Sequence, residues 1–347
     1  MDSLAVSSDT TSQNKPIDSG AILFEQVPSI ARCPKLLRRL LLLALQWLIC
    51  ERRINRFLSQ HAMTRDFDFV DQVFQLVQTD CTVRHSDLEN IPARGRVIIV
   101  ANHPLGGLDG LALLRLVSSV RRDVRIVANE LLLNITQLNN LFLPVDAMGG
   151  ETRKADISRI LDALNNDEAV IIFPSGEVSR AGPKGIRDRK WLPGFIQLAK
   201  TAYAPVLPVH IKARNSNLFY AVSRISRPLS MLMLPREMLG FGGQMKFTIG
   251  QMITPKAIES LPFSRKKRAS LLSEHVWRIG VGKKPLFDTE TSIIRPQDRQ
   301  TIRAELKQAE ILGRTSDNKT ILLFDYQIDF LRWGILQLDS LCPYNLD

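Results

Sequence analysis

Arg96-Val97-Ile98-Ile99-Val100-Ala101-Asn102-His103-Pro104-Leu105-Gly106-Gly107-Leu108-Asp109-Gly110 is the stretch on which the fold turns. An apolar, β-branched run stops at Asn-His-Pro. A glycine pair follows, and an aspartate precedes the apolar segment Leu111–Val120. That order spells strand, tight turn and helix. Proline disfavours the helical region for the residue before it, so His103 is expected to sit extended at the strand's end. Gly106 and Gly107 permit a backbone path that a Cβ would resist. Asp109, at the start of the helix, can reach back toward the imidazole. A histidine that donates one ring N–H to a carboxylate has its tautomer fixed, and its other nitrogen is free to take a proton from a hydroxyl. Equally, Asp109 could only cap the helix, with His103 bonded to a carbonyl. A metal site is disfavoured, because no Cys or His partner stands nearby at ligand spacing.

Outward from this stretch, strands and helices alternate. Upstream, Asp68–Gln78 reads as an amphipathic helix with Phe69, Val73, Phe74 and Val77 on one face. Downstream come a strand at Arg125–Ala128, a helical piece at Glu130–Ile135 and a short strand at Phe142–Val145. Thr152–Asn165 follows as a helix with Ile157, Ile160, Leu161 and Leu164 on one face, then Ala169–Phe173 as a buried strand. Gly194–Ala202 is a helix, Pro205–Lys212 a strand, Leu218–Leu234 a Met-rich helical stretch with Met231 and Met233 read as core filler ahead of a lipid groove. Met245–Ile249 is a strand and Ser264–Ile279 a helix opened by four basic residues in five. The rhythm predicts an α/β fold with a mixed, largely parallel sheet flanked by helices. Sites in such sheets lie at the carboxyl ends of the strands. The His103 turn and the Ser175–Arg180 turn both begin at such ends, so the sheet can bring them together.

A chain of 347 residues with 45% hydrophobic and 23% charged content can bury a sizeable core. Its 46 Lys and Arg against 35 Asp and Glu give a net charge of +11, which suits anionic partners. With 7% aromatic residues and no basic motif interleaved with aromatics, no nucleic-acid partner is expected. Cys33, Cys50, Cys81 and Cys342 lack CxxC spacing and read as free thiols. Residues 1–30 form a polar N-terminus expected to be disordered, and Met1–Gly20 has no signal-peptide pattern. Residues 31–64 carry an amphipathic helix over Cys33–Leu58. Leu40–Cys50 is apolar except for Gln46, too short to span a bilayer. Arg39, Gln46 and Arg53, seven apart, would share a stripe opposite Trp47. Between Arg32 and Arg56 stand seven basic residues and one acidic, a net of +6. Such a helix can lie in an anionic membrane interface, or pack on the core with its arginines in water. Residues 65–282 are the main domain. Residues 283–347, with a charged helix at Gln297–Leu312, a strand candidate at Thr320–Tyr326 and apolar Ile328–Leu338, form an appendage without an assigned role.

Three blocks carry a resemblance. Asn102-His103-Pro104-x-Gly106-Gly107-x-Asp109 resembles the first signature of the glycerolipid and lysophospholipid acyltransferase superfamily, in its bacterial hemolysin-like branch, which includes proteins similar to lyso-ornithine-lipid O-acyltransferases. The superfamily's usual interval is His-x4-Asp; five residues intervene here, as in the Pro-x-Gly-Gly branch. Ile172-Phe173-Pro174-Ser175-Gly176-Glu177-Val178-Ser179-Arg180 looks like that branch's form of the Phe-Pro-Glu-Gly-Thr-Arg block, with the glutamate after the glycine. Ala204-Pro205-Val206-Leu207-Pro208-Val209-His210-Ile211 is similar to the late Val-Pro-Val strand. The resemblance covers roughly residues 65–282.

It implies transfer of a fatty acyl group from a thioester, acyl-CoA or acyl carrier protein, to a lyso-lipid hydroxyl at the cytoplasmic face of the inner membrane, without cofactor or metal. His103 would be the general base, with Asp109 orienting it and stabilising the imidazolium. Asn102 would hold the turn or donate to the developing oxyanion. Gly106, Gly107, Ser175 and Gly176 would shape the substrate site. Arg180 and Lys184, then Arg187 and Lys190, are candidates for the acceptor's phosphate or carboxylate. Glu177 would order those cations or contact the head directly. Arg187-Asp188-Arg189-Lys190 reads equally well as a solvated loop. A serine hydrolase lacks its Gly-x-Ser-x-Gly elbow here. A non-catalytic membrane scaffold could keep the basic helix but has no use for a His–Asp pair.

Overall fold

The computed structural model describes residues 34–145, 154–183 and 185–287. Helix α1 (Lys35–Leu48) is followed by α2 (Glu51–Gln60) and α3 (Asp66–Val77). Strand β1 (Asp80–Thr82) and the short α4 (His85–Leu88) lead into β2 (Val97–Ala101) and α5 (Gly107–Ser118). From β3 (Val124–Asn129) the chain passes through two 3-10 segments, Glu130–Asn134 and Thr136–Leu141, to β4 (Phe142–Val145). Then come α6 (Lys154–Asn165), β5 (Ala169–Ile172), the hairpin of β6 (Arg180–Gly182) and β7 (Gly185–Arg187), α7 (Gly194–Thr201) and β8 (Val206–Lys212). The last elements are α8 (Asn217–Ile225), α9 (Arg227–Leu239), β9 (Gln244–Ile249), α10 (Pro255–Glu259) and α11 (Arg265–Gly280).

Seven strands form one sheet in the order β1-β9-β8-β2-β5-β3-β4. Its pairs are parallel except β8 with β9. Strand β2 lies in the middle, Val97–Val100 pairing with Ala169–Ile172 of β5 and Ile98–Ala101 with Val206–Val209 of β8. The three sequence blocks therefore sit on three adjacent parallel strands. Period-two alternation puts Val97, Ile99 and Ala101 into a core shared with α2, α3 and α5. Ile98 and Val100 enter a second core with α6, α7 and α11. Both faces of the sheet are covered, which is why β2 reads as an uninterrupted apolar run. A third, smaller cluster of Val178, Phe219, Tyr220 and Met233 lies under the β6–β7 hairpin.

The expected mixed, largely parallel sheet is thus present, with differences at its margins. The single N-terminal helix is two: Cys50 takes a left-handed conformation (φ 57°) and closes α1 before α2 begins at Glu51. No Gly or Pro marks that break. Arg53 consequently leaves the stripe it would share with Arg39 and Gln46. Glu130–Asn134 is a 3-10 segment. The Leu218–Leu234 stretch is two helices, of which Met233 is buried and Met231 exposed. Cys50 and Cys81 are free thiols. Residues 1–33, with Cys33 and the polar N-terminus, lie outside the described residues. So do Thr152 at the expected start of α6 and residues 288–347, including Gln297–Leu312, Thr320–Tyr326, Ile328–Leu338 and Cys342.

Two buried histidines tie stability to pH. The His210 ring packs where Gly280 has no side chain, its Nδ1 without a hydrogen-bond partner among the described residues, and burial lowers its pKa to about 4. His275 is also lowered to about 4 by burial. Its Nδ1 accepts from the N–H groups of Leu286 and Phe287, which requires the neutral ring. Between pH 6.5 and 4 the unfolded chain protonates both rings while the folded chain resists, so stability is full above 6.5 and falls through that window. The loss is on the order of 3 kcal/mol per histidine. Melting temperature should therefore drop from pH 7 to pH 4.5, less steeply in His275→Gln. A flat profile would contradict the burial argument.

Candidate active site

At the carboxyl end of β2 the chain turns through His103-Pro104-Leu105-Gly106 into α5. Gly106 lies at φ 93°, where a Cβ would also press within 3.2 Å of Val178. Gly107 is the first residue of α5 and has open space where its Cβ would be, so only the first glycine of the pair is sterically required. Asp109 falls in the first turn of α5 and is fully buried. Its Oδ2 accepts from the N–H groups of Leu105 (2.7 Å) and Gly106 (3.0 Å), closing the turn. The same oxygen lies 3.2 Å from His103 Nδ1. That approach is off the line of the ring N–H, an ion-pair distance rather than an aligned hydrogen bond. Asp109 thus both caps the helix and faces the imidazole; the two readings of it are not exclusive. Burial pushes its carboxyl above the usual range, and the His103 ring and the two backbone donors oppose that push. With Nδ1 turned inward, Nε2 is the nitrogen left for chemistry.

The His103 ring stacks on Phe173 at 4.1 Å between centroids, so the residue after β5 walls the imidazole. Backbone pairing joins the two turns: Ser179 N–H donates to His103 C=O at 2.7 Å. Asn102 spends both ends of its amide on β8, donating to Ile211 C=O (2.9 Å) and accepting from Ile211 N–H (2.7 Å). These two bonds tie the residue after β2 to β8. Ser175 is buried with Oγ donating to Glu177 C=O at 2.8 Å, and Gly176 beside it takes φ 66°. These two shape the loop.

Glu177 lies between two cations: its Oε1 is 2.6 Å from Arg189 and its Oε2 3.8 Å from Arg180 Nε. Arg180, on β6, donates from Nη1 to Ser230 Oγ at 2.6 Å and lies over the Phe219 ring. Its Nε and Nη2 are buried and have no hydrogen-bond partner among the described residues. Burial lowers its pKa, Glu177 raises it, and Arg227 and Arg189 lower it further. Arg187 is turned away from this group, pairing with Glu274 at 3.1 Å and stacking on Trp277 at 3.7 Å. Lys190 is exposed, and Lys184 lies outside the described residues.

Sequence reading passed over two residues here. Buried Asn215, three residues past β8, donates from Nδ2 to Pro104 C=O at 3.0 Å, and its own N–H donates to Tyr220 Oη. Asp188 accepts from His103 N–H (3.1 Å), Ser179 Oγ (2.5 Å) and Trp191 Nε1 (3.0 Å). Neither stands out in sequence: Asp188 hides in a basic run, and Asn215 lies in a polar stretch.

The arrangement offers a walled imidazole backed by a buried carboxylate and, one residue beyond the Ser179 that bonds to His103 C=O, a guanidinium whose Nε and Nη2 are buried without a hydrogen-bond partner among the described residues. Two lyso-glycine lipid O-acyltransferases are similar to this chain. That of Phocaeicola vulgatus is 31% identical over 213 residues, covering 59% of this chain and 75% of the relative. That of Bacteroides thetaiotaomicron is 32% identical over 202 residues, covering 56% and 73%. Among solved structures, the 1-acyl-sn-glycerophosphate acyltransferase PlsC of Thermotoga maritima aligns over 69% of this chain and 95% of its own, at 19% identity and a TM-score of 0.40. The acyltransferase family model matches residues 22–277, a span that holds all three sequence blocks and every element from α1 to β9. The chain belongs to the acyltransferase family.

Proposed function

We propose that the chain is a lipid O-acyltransferase moving a fatty acyl group from acyl-CoA or acyl carrier protein to the hydroxyl of a lyso-lipid. The observation that carries this reading is His103 Nδ1 held 3.2 Å from buried Asp109, at the carboxyl end of the central strand. A hydroxyl is a poor nucleophile at neutral pH, so attack on the thioester carbonyl needs a base. Nε2 takes the hydroxyl proton as the oxygen attacks. Asp109 stabilises the imidazolium, and that proton leaves with the thiolate. No covalent acyl-enzyme is required. Lyso-glycine lipid, the acceptor in the relatives' names, is the first acceptor to test. Purified protein should consume acyl-CoA, or the acyl thioester of acyl carrier protein, only when a lyso-lipid is present. A deletion strain should accumulate the lyso-form and lose the diacylated lipid. Neither change would refute the activity if absent from one lipid class alone; absence from all of them would.

Access to such an acceptor is from a membrane surface, and the exposed apolar face of α1 supports peripheral attachment to one. Leu36 is 74% exposed, Leu40 57% and Trp47 64%, and Leu45 is the only residue of α1 that is buried. α1 packs on α9, where the Arg236 guanidinium lies 4.0 Å over the Trp47 ring, and Leu229, Met231 and Leu232 of α9 are exposed. Arg52, Arg53 and Arg56 are exposed on α2, the helix that follows α1 and contacts it. No helix among the described residues is long and apolar enough to cross a membrane. Apolar insertion with arginines on anionic headgroups is the expected mode. Deleting α2 would strip Phe57 and Leu58 from the core, so the test uses Leu36→Glu with Leu40→Glu. This pair should release most of the protein from phosphatidylglycerol vesicles. Binding of the parent chain should weaken with salt, since headgroup attraction is screened over ~8 Å at physiological ionic strength. Salt-insensitive binding would instead mean attachment by apolar insertion alone.

A further inference from the structure

We propose that Asp188 is a positioning residue for His103: it clamps the base's own peptide to the β6–β7 hairpin and so fixes where the imidazole meets the acceptor hydroxyl. The proposal rests on the reading of His103 as general base. Three donors converge on this one carboxylate. Oδ1 accepts from His103 N–H and Ser179 Oγ, and Oδ2 accepts from the Trp191 indole N–H. An ionised carboxylate is acceptor-only, and bonds to it are about twice as strong as neutral ones.

The hairpin explains why these groups meet. Its register sets Arg180 against Arg187, so Ser179 and Asp188 are the next residues outward on the two arms. Ser179 then returns a bond of its own, N–H to His103 C=O at 2.7 Å. The backbone of His103 is thus held at both its N–H and its C=O, and its ring takes part in neither bond. The far end of the clamp is rigid. Trp191 is 4% exposed, edge-on to Phe195 in the second core, and the following residue, Leu192, bonds through its N–H to Pro174 C=O at 2.8 Å. In the run Arg187-Asp188-Arg189-Lys190, Asp188 therefore faces the His103 turn and Arg187 faces Glu274 and Trp277, while Arg189 and Lys190 are exposed.

A misplacement of the base by about 1 Å can cost up to ~10²-fold in rate. Loosening the clamp should therefore lower kcat and leave both KM values alone. Asp188→Asn keeps an oxygen for His103 and Ser179 but turns its NH2 toward the indole N–H, donor against donor. We expect kcat to fall about tenfold, with donor and acceptor KM within twofold. Trp191→Phe removes the opposing donor, so adding it to Asp188→Asn should bring kcat back to within about threefold of Trp191→Phe alone. An unchanged kcat in Asp188→Asn, a loss that the second substitution does not rescue, or a rise in KM matching the loss would each overturn the proposal.

The clamp is also read without turnover. In protein labelled with 15N only at its five histidines, the His103 amide should exchange with solvent at least tenfold faster in Asp188→Asn than in the parent. Unchanged exchange overturns the clamp whatever the kinetics show. His103→Gln, assayed beside these variants, separates the two ideas. If it keeps near-parent turnover, the base reading fails even where accelerated exchange shows the clamp to be real. If it loses turnover while Asp188→Asn does not, the base stands and positioning is overturned.

Discussion

His103→Ala should lose acyl transfer by roughly 10²- to 10⁴-fold, the usual share of a general base, and should remain folded. The ring is 18% exposed, and its main packing partner is one face of Phe173 at 4.1 Å. Losing that stack costs about 1 kcal/mol, small beside the stability of a domain with two continuous cores. The backbone bonds from His103 to Ser179 and Asp188 do not involve the ring and survive the change. Activity and melting temperature should therefore part company. Asp109→Asn should be severe too, but it is a poorer test. Its carboxylate also accepts from Leu105 and Gly106, so an amide would disturb the turn and the charge together. Steady-state turnover of purified His103→Ala beside a thermal melt decides the matter. Near-parent turnover sinks the mechanism; lost turnover with a collapsed melt would place His103 among the structural residues.

The contrast between Asp109 and Asp188 shows what was legible beforehand. Asp109 stands in a string whose every neighbour points the same way: an apolar strand, a proline, a glycine pair, an apolar helix. Local chemistry there dictates local structure, and the parallel sheet, the strands β2, β5 and β8 and the meeting of two turns follow from it. Asp188 sits among Arg187, Arg189 and Lys190, and its meaning depends on a hairpin of three-residue strands. Such strands are too short to show alternation, and Gly182 and Gly185 at their tip look like an ordinary loop. Asn215 is similar, since its partner Pro104 is 111 residues away. The break at Cys50 was hidden for another reason: a non-glycine residue adopts the left-handed conformation, and α1 packs on α9, distant in sequence. Long-range contacts, rather than composition, decide all three.

Arg180→Lys should raise the acceptor KM by roughly 10- to 100-fold and leave the donor KM nearly unchanged. Nε and Nη2 form one side of the guanidinium, the edge that grips a carboxylate or phosphate through two parallel bonds. In this chain that edge is buried without a hydrogen-bond partner among the described residues, while Nη1 is spent on Ser230. Buried donors left open are costly, and the charge around them is unbalanced. Glu177 is the carboxylate that offsets Arg180, whereas Arg227 and Arg189 oppose its charge. An anionic head group would meet both needs. Lysine would keep the charge but not the fork, so the loss should be on the order of 1.5–3 kcal/mol for charged hydrogen bonds. The competing view is that Arg180 merely braces the loop through Glu177. The 3.8 Å separation from Glu177 Oε2, against 2.6 Å for Arg189, makes that contact the weaker of Glu177's two. Bracing predicts a lowered melting temperature for Arg180→Gln and for Glu177→Gln, with the double change costing less than the sum. An acceptor titration of Arg180→Lys beside these melts separates the two. A raised acceptor KM with an unmoved melt assigns Arg180 to the head group; an unmoved KM with a lowered melt assigns it to the loop.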